Sequence, residues 1–156
     1  MVKRNWLRHG GACVATVALV CVARWGVEGA AQGPTRFVAR LSTVPIMVAN
    51  QDVVSGRGAA EATLAGSHLT VSGTFEGLRT PATVVRLHLA PRAMRGPAVG
   101  DLVVSKATTG TLSGTIDLTP QQLRALENGA IYVQLHSEKA PDGNLWGWLI
   151  PQETKR

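Results

Sequence analysis

An alternation of apolar and polar residues is the feature that most constrains how this chain can fold. In residues 67–75, Leu69, Val71, Gly73 and Phe75 take alternate positions, with serine and threonine side chains between them. Because successive side chains of a β-strand point to opposite faces, this period of two predicts a strand with one buried and one polar face. The same period recurs in three further segments, at residues 82–90, 109–118 and 130–136.

Weaker signals predict four more strands, at residues 35–42, 58–65, 100–105 and 144–150. The chain has 17 glycines in 156 residues and only 17% charged residues, a composition typical of proteins rich in short strands and turns. Short strands with polar outer faces, separated by Gly, Pro and Asp turns, favour antiparallel Greek-key architectures. We therefore predict an all-β fold, either an immunoglobulin-like Greek-key β-sandwich or a barrel.

One short helix is predicted among the strands, near residues 119–128. Thr119 is a favourable N-cap, Pro120 suits the first helical position, and Gln122 completes a capping box with Thr119. The pair Asn128-Gly129 supplies a stop signal. We expect this helix to cover one end of the β structure.

The first 31 residues have the organisation of a signal peptide. A basic start is followed by an apolar run over residues 12–23 and by small residues at 29–31. We expect cleavage near Ala31, which leaves a domain over 32–152 with a polar tail at 153–156, in the periplasm or outside the cell. The alternative is an uncleaved anchor, which Arg24 favours; the membrane is then contacted through this segment alone.

Removal of this segment changes what the composition implies. Both cysteines, Cys13 and Cys21, lie within it, so the domain must be stable in an oxidising compartment without disulfides. The segment also holds four of the 16 basic and one of the 10 acidic residues, which leaves 12 basic and 9 acidic residues and a net charge of +3. No basic cluster alternates with aromatic residues, and we therefore expect no nucleic-acid partner.

A distinctive arrangement of residues fills the last third of the chain. A helix-capping turn leads into a strand over 132–136 (Tyr-Val-x-x-His), a Pro-x-Gly turn at 141–143 and a final strand that carries Gly147. In this order the stretch 118–151 resembles the CHRD (chordin-type) domain. The middle of the chain is similar to the same family in three short segments, at residues 75–78, 87–88 and 96–97.

This resemblance implies a fold and a compartment more than an activity. CHRD domains occur in the secreted protein chordin and in exported bacterial proteins, and they are thought to form an immunoglobulin-like β-barrel distantly similar to copper/zinc superoxide dismutases. The family often has His-x-His on its middle strand, where this chain has Arg86 before His88. Around the last glycine the family often has Glu and Arg, where this chain has Asn144 and Trp146.

Two histidines are candidates for a metal site. His88 and His136 each fall on the polar face of a predicted strand, and neighbouring strands would place both imidazoles on one surface. Two neutral imidazoles can begin a copper or zinc site, with Glu138 or Asp142 as an oxygen ligand. The alternative, which we favour, is a pair of ordinary surface histidines, because Arg86 places a positive charge beside them and no cysteine is available.

Two tryptophans are candidates for a ligand or partner contact. Trp146 and Trp148 flank Gly147 and share one face of the last strand, where they can stack on a sugar ring or dock a partner. The alternative is that they form a second apolar layer covered by residues 44–48. We favour this alternative, because an exposed tryptophan pair is an unusual surface.

The residues show no arrangement typical of an enzyme, such as a nucleophile elbow or a closely spaced pair of carboxylates. We therefore expect an exported, non-catalytic domain without a cofactor, which binds another protein or a component of the envelope or matrix. The alternative function is a copper- or zinc-binding module that uses His88 and His136.

Overall fold

Nine strands and one helix form over residues 35–152, which are the residues that the computed structural model describes. The predicted signal peptide at 1–31 and the polar tail at 153–156 lie outside this range. The elements are β1 (Thr35–Thr43), β2 (Arg57–Ala65), β3 (His68–Glu76), β4 (Ala82–Leu89), β5 (Ala98–Val104), β6 (Gly110–Asp117), α1 (Pro120–Glu127), β7 (Ile131–Ser137), β8 (Ala140–Trp148) and β9 (Ile150–Pro151). Every strand predicted from the alternation is present, and the predicted bounds are close to these.

The strands close into an antiparallel barrel. Eight of them follow one another around it in the order β1-β2-β3-β6-β5-β4-β7-β8, with β8 pairing again with β1, and the short β9 adds to β1. The meander β4-β5-β6 is flanked by β3 on one side and β7 on the other, which is a Greek-key arrangement. Of the two predicted architectures the chain forms the barrel, and the immunoglobulin-like sandwich is not confirmed.

The barrel interior holds the main hydrophobic core, as the alternation requires. Leu69, Val71 and Phe75 of β3 are buried, while the serine and threonine side chains between them are exposed. Leu87 of β4 lies opposite Val133 of β7, and both are fully buried. The predicted inward faces are therefore confirmed. The other large side chains that are buried in this core are Phe37, Leu41, Leu78, Val85, Leu102, Leu112, Leu118, Leu126, Ile131, Leu135, Leu145 and Leu149.

The predicted helix is confirmed, together with its signals. The Thr119 hydroxyl accepts from the Gln122 backbone N–H at 3.3 Å, and the Gln122 side chain accepts from the Thr119 N–H at 2.8 Å. Leu126 points into the barrel core and is fully buried. Gly129 ends the helix with a φ of +64°, a left-handed conformation that glycine adopts without strain. Within residues 35–152 no helix is long and apolar enough to cross a membrane.

The hairpin of β7 and β8 departs from the simple alternation, because both of its faces are covered. Tyr132 and Gln134, on the predicted polar face of β7, are buried like the inward-facing residues between them. Asp142, predicted to lie in a turn, belongs to β8, since the turn of this hairpin is confined to residues 138–139. A second apolar layer therefore lies outside the barrel wall at this position, and the candidate site residues are part of it.

Candidate functional site

The outer face of β7 and β8 carries a second hydrophobic cluster, which we call the outer cluster. Tyr132 is its centre, fully buried although it points away from the barrel interior. Its ring stacks on His88, with centroids 5.1 Å apart and planes inclined by 17°. Trp148 lies against it at 4.8 Å and Trp146 meets it edge-on at 6.1 Å. The remaining members of the outer cluster are Val44, Val53, Val54, Ala90 and Ala140.

The two tryptophans pack into this cluster side by side, with ring centroids 4.9 Å apart. Trp146 is 8% exposed, and the half-buried Trp148 donates its indole N–H to the Ala90 carbonyl at 3.0 Å. The expected second apolar layer is present, although its cover differs from the prediction: Val44 is buried against it, whereas residues 45–48 are exposed. A ligand or partner contact at the tryptophan pair stays a prediction, and Trp148 is the more accessible of the two.

The two candidate histidines lie next to the outer cluster, on the adjacent strands β4 and β7. His88 of β4 pairs with Tyr132, and His136 of β7 pairs with Val84, so the two rings approach each other diagonally across the strand pair. Their centroids are 6.4 Å apart and their planes are inclined by 43°. The pairing of β4 with β7 therefore brings the two imidazoles onto one surface.

Both imidazoles are held by backbone carbonyls through the same ring nitrogen. Nδ1 of His88 lies 2.9 Å from the Gly96 carbonyl oxygen, and Nδ1 of His136 lies 2.7 Å from the Pro141 carbonyl oxygen. A carbonyl oxygen only accepts hydrogen bonds, so each Nδ1 carries a proton, and in the neutral form each ring presents an unprotonated Nε2. Both Nε2 atoms are buried, and neither has a hydrogen-bond partner among the described residues.

The surroundings of the pair disfavour an added proton. Burial lowers the pKa of His136 below its ordinary value of 6.5, the Pro141 carbonyl opposes this effect, and His88, Arg86 and Arg95 reinforce it. These causes leave His136 in its neutral form at neutral pH. In this form its Nε2 lone pair is free to accept a hydrogen bond or bind a metal.

The side chains around the pair are already engaged. Arg86 forms an ion pair with Asp101 at 2.7 Å, between Nε and Oδ1. The Asp142 carbonyl accepts from Gln134 at 2.8 Å and from Arg95. Over residues 35–152 no group of three or more His, Cys, Asp or Glu side chains is placed to hold a metal. The oxygen ligands predicted at Asp142 and Glu138 thus do not complete a three-ligand site.

A buried asparagine next to this region clamps the loop between β1 and β2. Asn144 accepts from the Val44 N–H through its backbone carbonyl and from the Ser55 N–H through its side chain, both at 3.0 Å. Its side-chain NH₂ donates to the Ser137 hydroxyl at 3.1 Å, and the residue is fully buried. A single side chain and its backbone therefore hold both ends of the loop 44–55.

Three consecutive apolar side chains project from this clamped loop. Ile46, Met47 and Val48, which we call the apolar tip, are 58%, 63% and 86% exposed. Asn50 fixes the tip, because its side chain accepts from the Met47 N–H at 2.7 Å and donates to the Pro45 carbonyl at 3.1 Å. The tip is thus an ordered, solvent-facing apolar surface.

A shallow depression of about 430 Å³ lies elsewhere on the barrel, at the rim formed by the start of β2, the end of β3 and the start of β6. Arg57 and Glu76 line it and pair with each other at 2.6 Å, with both side chains largely exposed. The histidine pair and the outer cluster are not among its lining residues. Its charged groups are therefore matched with each other and directed to solvent.

A comparison with family models matches the CHRD domain to residues 37–149, most of the chain. The chain belongs to the CHRD domain family. No curated protein and no solved structure matches it. The CHRD match runs from Phe37 in β1 to Leu149 after β8, and it therefore includes the histidine pair, the outer cluster and the apolar tip.

Sequence reasoning missed three parts of this region of the CHRD domain. The carbonyls of Gly96 and Pro141 fix the imidazoles, but a backbone acceptor has no sequence signature. From the sequence, Asn144 is only a position where the family often has a charged residue. In the structure its hydrogen bonds hold both ends of the loop 44–55. The apolar tip did carry a signal, since the run Val-Pro-Ile-Met-Val at 44–48 has no period of two and lies outside every predicted strand.

Proposed function

We propose that this CHRD domain is an exported, non-catalytic module that binds another protein through its apolar tip. The observation that carries the proposal is the exposure of Ile46, Met47 and Val48 on a loop that Asn144 and Asn50 hold in one conformation. Exposed contiguous apolar side chains mark interaction surfaces in soluble proteins. A loop ordered before binding loses less conformational entropy when the partner arrives.

The surroundings of the tip favour a protein as the occupant. The tip is followed by the polar residues Asn50, Gln51 and Asp52, which gives an apolar centre with a polar edge. This composition is typical of protein–protein interfaces. The aromatic surface that a sugar would stack on is largely internal, because Trp146 is buried in the outer cluster.

A non-catalytic role is supported by how the buried polar side chains are used. Gln134 donates to the Asp142 carbonyl, and Asn144 and Ser137 bond to each other. These are the three buried polar residues of the described chain, and their hydrogen bonds hold the hairpin and the loop in place. The rim depression likewise contains a charge pair that is satisfied within itself.

The binding proposal is tested by removing the apolar character of the tip. The variant Ile46→Ser/Met47→Ser/Val48→Ser and the control Val103→Ser, which alters another exposed apolar side chain, are cross-linked to their neighbours in the native host. Captured proteins are quantified by mass spectrometry, and melting temperatures confirm that both variants fold. We expect a partner that the wild type and the control capture and the tip variant loses.

Two results would overturn the binding proposal. One is capture of the same proteins in equal amounts by the tip variant and the wild type. The other is cross-linking to a second copy of this chain alone, which would make the tip a self-association surface. Turnover of a small substrate by the purified domain would separately refute the non-catalytic role.

Export is supported by the family, whose members include exported proteins, and by the apolar run and small residues within 1–31. We expect the mature chain to begin at or near Gln32. Intact-mass measurement of the protein from its native host checks this directly. A full-length chain in the soluble cell fraction would contradict export, and a full-length chain in the membrane fraction would indicate an uncleaved anchor.

A further inference from the structure

Two buried histidine nitrogens have no hydrogen-bond partner within residues 35–152. A buried acceptor without a donor destabilises the folded state, and native proteins rarely leave one in place. Here two such atoms, Nε2 of His88 and Nε2 of His136, occur on neighbouring rings. A single bound species that satisfies both is the simplest account of their placement.

We infer that His88 and His136 together bind one monovalent copper ion, Cu⁺, through their Nε2 atoms. This inference goes beyond the proposed partner binding and does not depend on it. The first support is the tautomer: the Gly96 and Pro141 carbonyls hold the proton on Nδ1 of each ring, which leaves both Nε2 lone pairs available. A ligating histidine commonly donates its other ring N–H to a carbonyl or carboxylate in this way.

The spacing of the rings is the second support. A metal–nitrogen bond to imidazole is about 2 Å long, and each nitrogen lies about 1 Å from its ring centre, so one ion in line between two rings separates their centroids by roughly 6 Å. The observed separation is 6.4 Å. This separation is compatible with one ion bound between the two rings.

The number of ligands and the local charge select the ion. Zinc takes four protein ligands in structural sites and about three in catalytic ones, whereas this pair has no third His, Cys, Asp or Glu within the described residues. Cu⁺ is a closed-shell ion that is stable with two nitrogen ligands in line. Arg86 and Arg95 repel a cation at this position, and a single charge suffers half the repulsion of a double charge.

The neighbouring groups are compatible with a low-charge ion. Arg86 is partly neutralised by Asp101 at 2.7 Å. Tyr132 stacks on the His88 ring and belongs to the outer cluster, which keeps water away from that side. An apolar environment of this kind disfavours ions of higher charge more than Cu⁺.

The test is anaerobic titration of the purified, untagged protein with Cu⁺ against a chromophoric Cu⁺ chelator, followed by ¹⁵N NMR of the histidines with Ag⁺ as a redox-inert substitute. We expect one Cu⁺ per chain and a shift of both Nε2 resonances on Ag⁺ addition, with both Nδ1–H groups retained. His88→Ala and His136→Ala should each weaken Cu⁺ binding by about 100-fold or more. The control His68→Ala, which changes an exposed side chain at the start of β3 beside Asp117, should bind as the wild type does.

Several outcomes would overturn the site. Loss of Cu⁺ binding in His68→Ala would show that the ion binds elsewhere. Binding of Zn²⁺ by a protein that does not bind Cu⁺ would refute the choice of ion. If Ag⁺ leaves both Nε2 resonances of the wild type unchanged, the site is refuted. This result needs no variant, so it holds even if the alanine variants fail to fold. In that case a buried water that donates to both nitrogens satisfies them instead. Loss of Cu⁺ binding leaves the tip proposal untouched, because the tip variant keeps both histidines.

Discussion

At the scale of single residues, buried polar groups decide how the outer face of this barrel is organised. Asn144 uses its backbone carbonyl, its side-chain oxygen and its side-chain NH₂ at once, and it does so in full burial. Each bond alone is worth about 1 kcal/mol, but a buried partner left unsatisfied costs more than the bond itself contributes. Replacement of Asn144 by a residue without a side-chain amide should therefore lower the stability of the protein.

We predict that Asn144→Ala lowers the free energy of unfolding by about 2–3 kcal/mol, because the Ser55 N–H and the Ser137 hydroxyl both lose their partner. Urea denaturation measures the loss, and hydrogen exchange should accelerate in the loop 44–55. The control Gln51→Ala changes an exposed side chain in the same loop and should stay within about 0.5 kcal/mol. A loss for Asn144→Ala no larger than for this control would contradict the clamp.

The lowered pKa of His136 predicts a pH dependence of stability in the metal-free protein. Below its ordinary value of 6.5, the unfolded chain protonates this imidazole more readily than the folded chain does. Stability is therefore complete above that value and falls as the pH drops below it. We expect the melting temperature of the wild type to fall further between about pH 7.5 and pH 5 than the melting temperature of His136→Gln does. Equal losses in the two proteins would show that His136 does not contribute.

At the scale of elements, the pair β4–β7 forms the part of the wall that separates the two apolar layers. Leu87 and Val133 face each other on the inner side, while His88 and Tyr132 face each other on the outer side. The same two strands thus contribute to the main core and to the outer cluster. A substitution that loosens the packing of the main core on these strands should therefore also loosen the outer cluster.

We predict that Leu87→Ala, Val133→Ala and Leu135→Ala each cost on the order of 2–4 kcal/mol, because all three side chains are fully buried in the main core. Chemical denaturation measures the cost. Val103→Ala, at an exposed position of β5, is the matched control and should change stability by less than about 0.5 kcal/mol. Melting of the three core variants at the wild-type temperature would show the strand registers to be wrong.

At the scale of the whole molecule, closure of the barrel depends on a close approach of β8 to β1. A Cβ placed on Gly147 would lie 2.4 Å from the Arg40 carbonyl oxygen and 2.9 Å from a methyl group of Leu41. Both distances are shorter than real side-chain contacts, and the nearer atom belongs to the backbone. A glycine at this position is therefore a condition for the two strands to meet.

We predict that Gly147→Ala destabilises the protein by more than about 3 kcal/mol, because the strands must separate to accept the methyl group. The control is Gly66→Ala, where a Cβ meets nothing within 4 Å and only the left-handed φ of +63° is unfavourable. That strain costs about 1 kcal/mol. Thermal and urea unfolding compare the two variants, and equal stability would refute a steric role for Gly147 in closure.

The sequence by itself determined the barrel strands, their inward faces and the helix over residues 120–127, because these follow from local periods and capping signals. It also put His88 and His136 on the polar faces of their strands, but the pairing of β4 with β7 that brings the two rings together is a tertiary contact. It did not choose between sandwich and barrel, since that depends on the pairing of β8 with β1 across about a hundred residues, a non-local contact. Only the tertiary structure buried Tyr132 and left the apolar tip exposed, because what covers an outer face is decided by distant segments and not by the strand's own alternation.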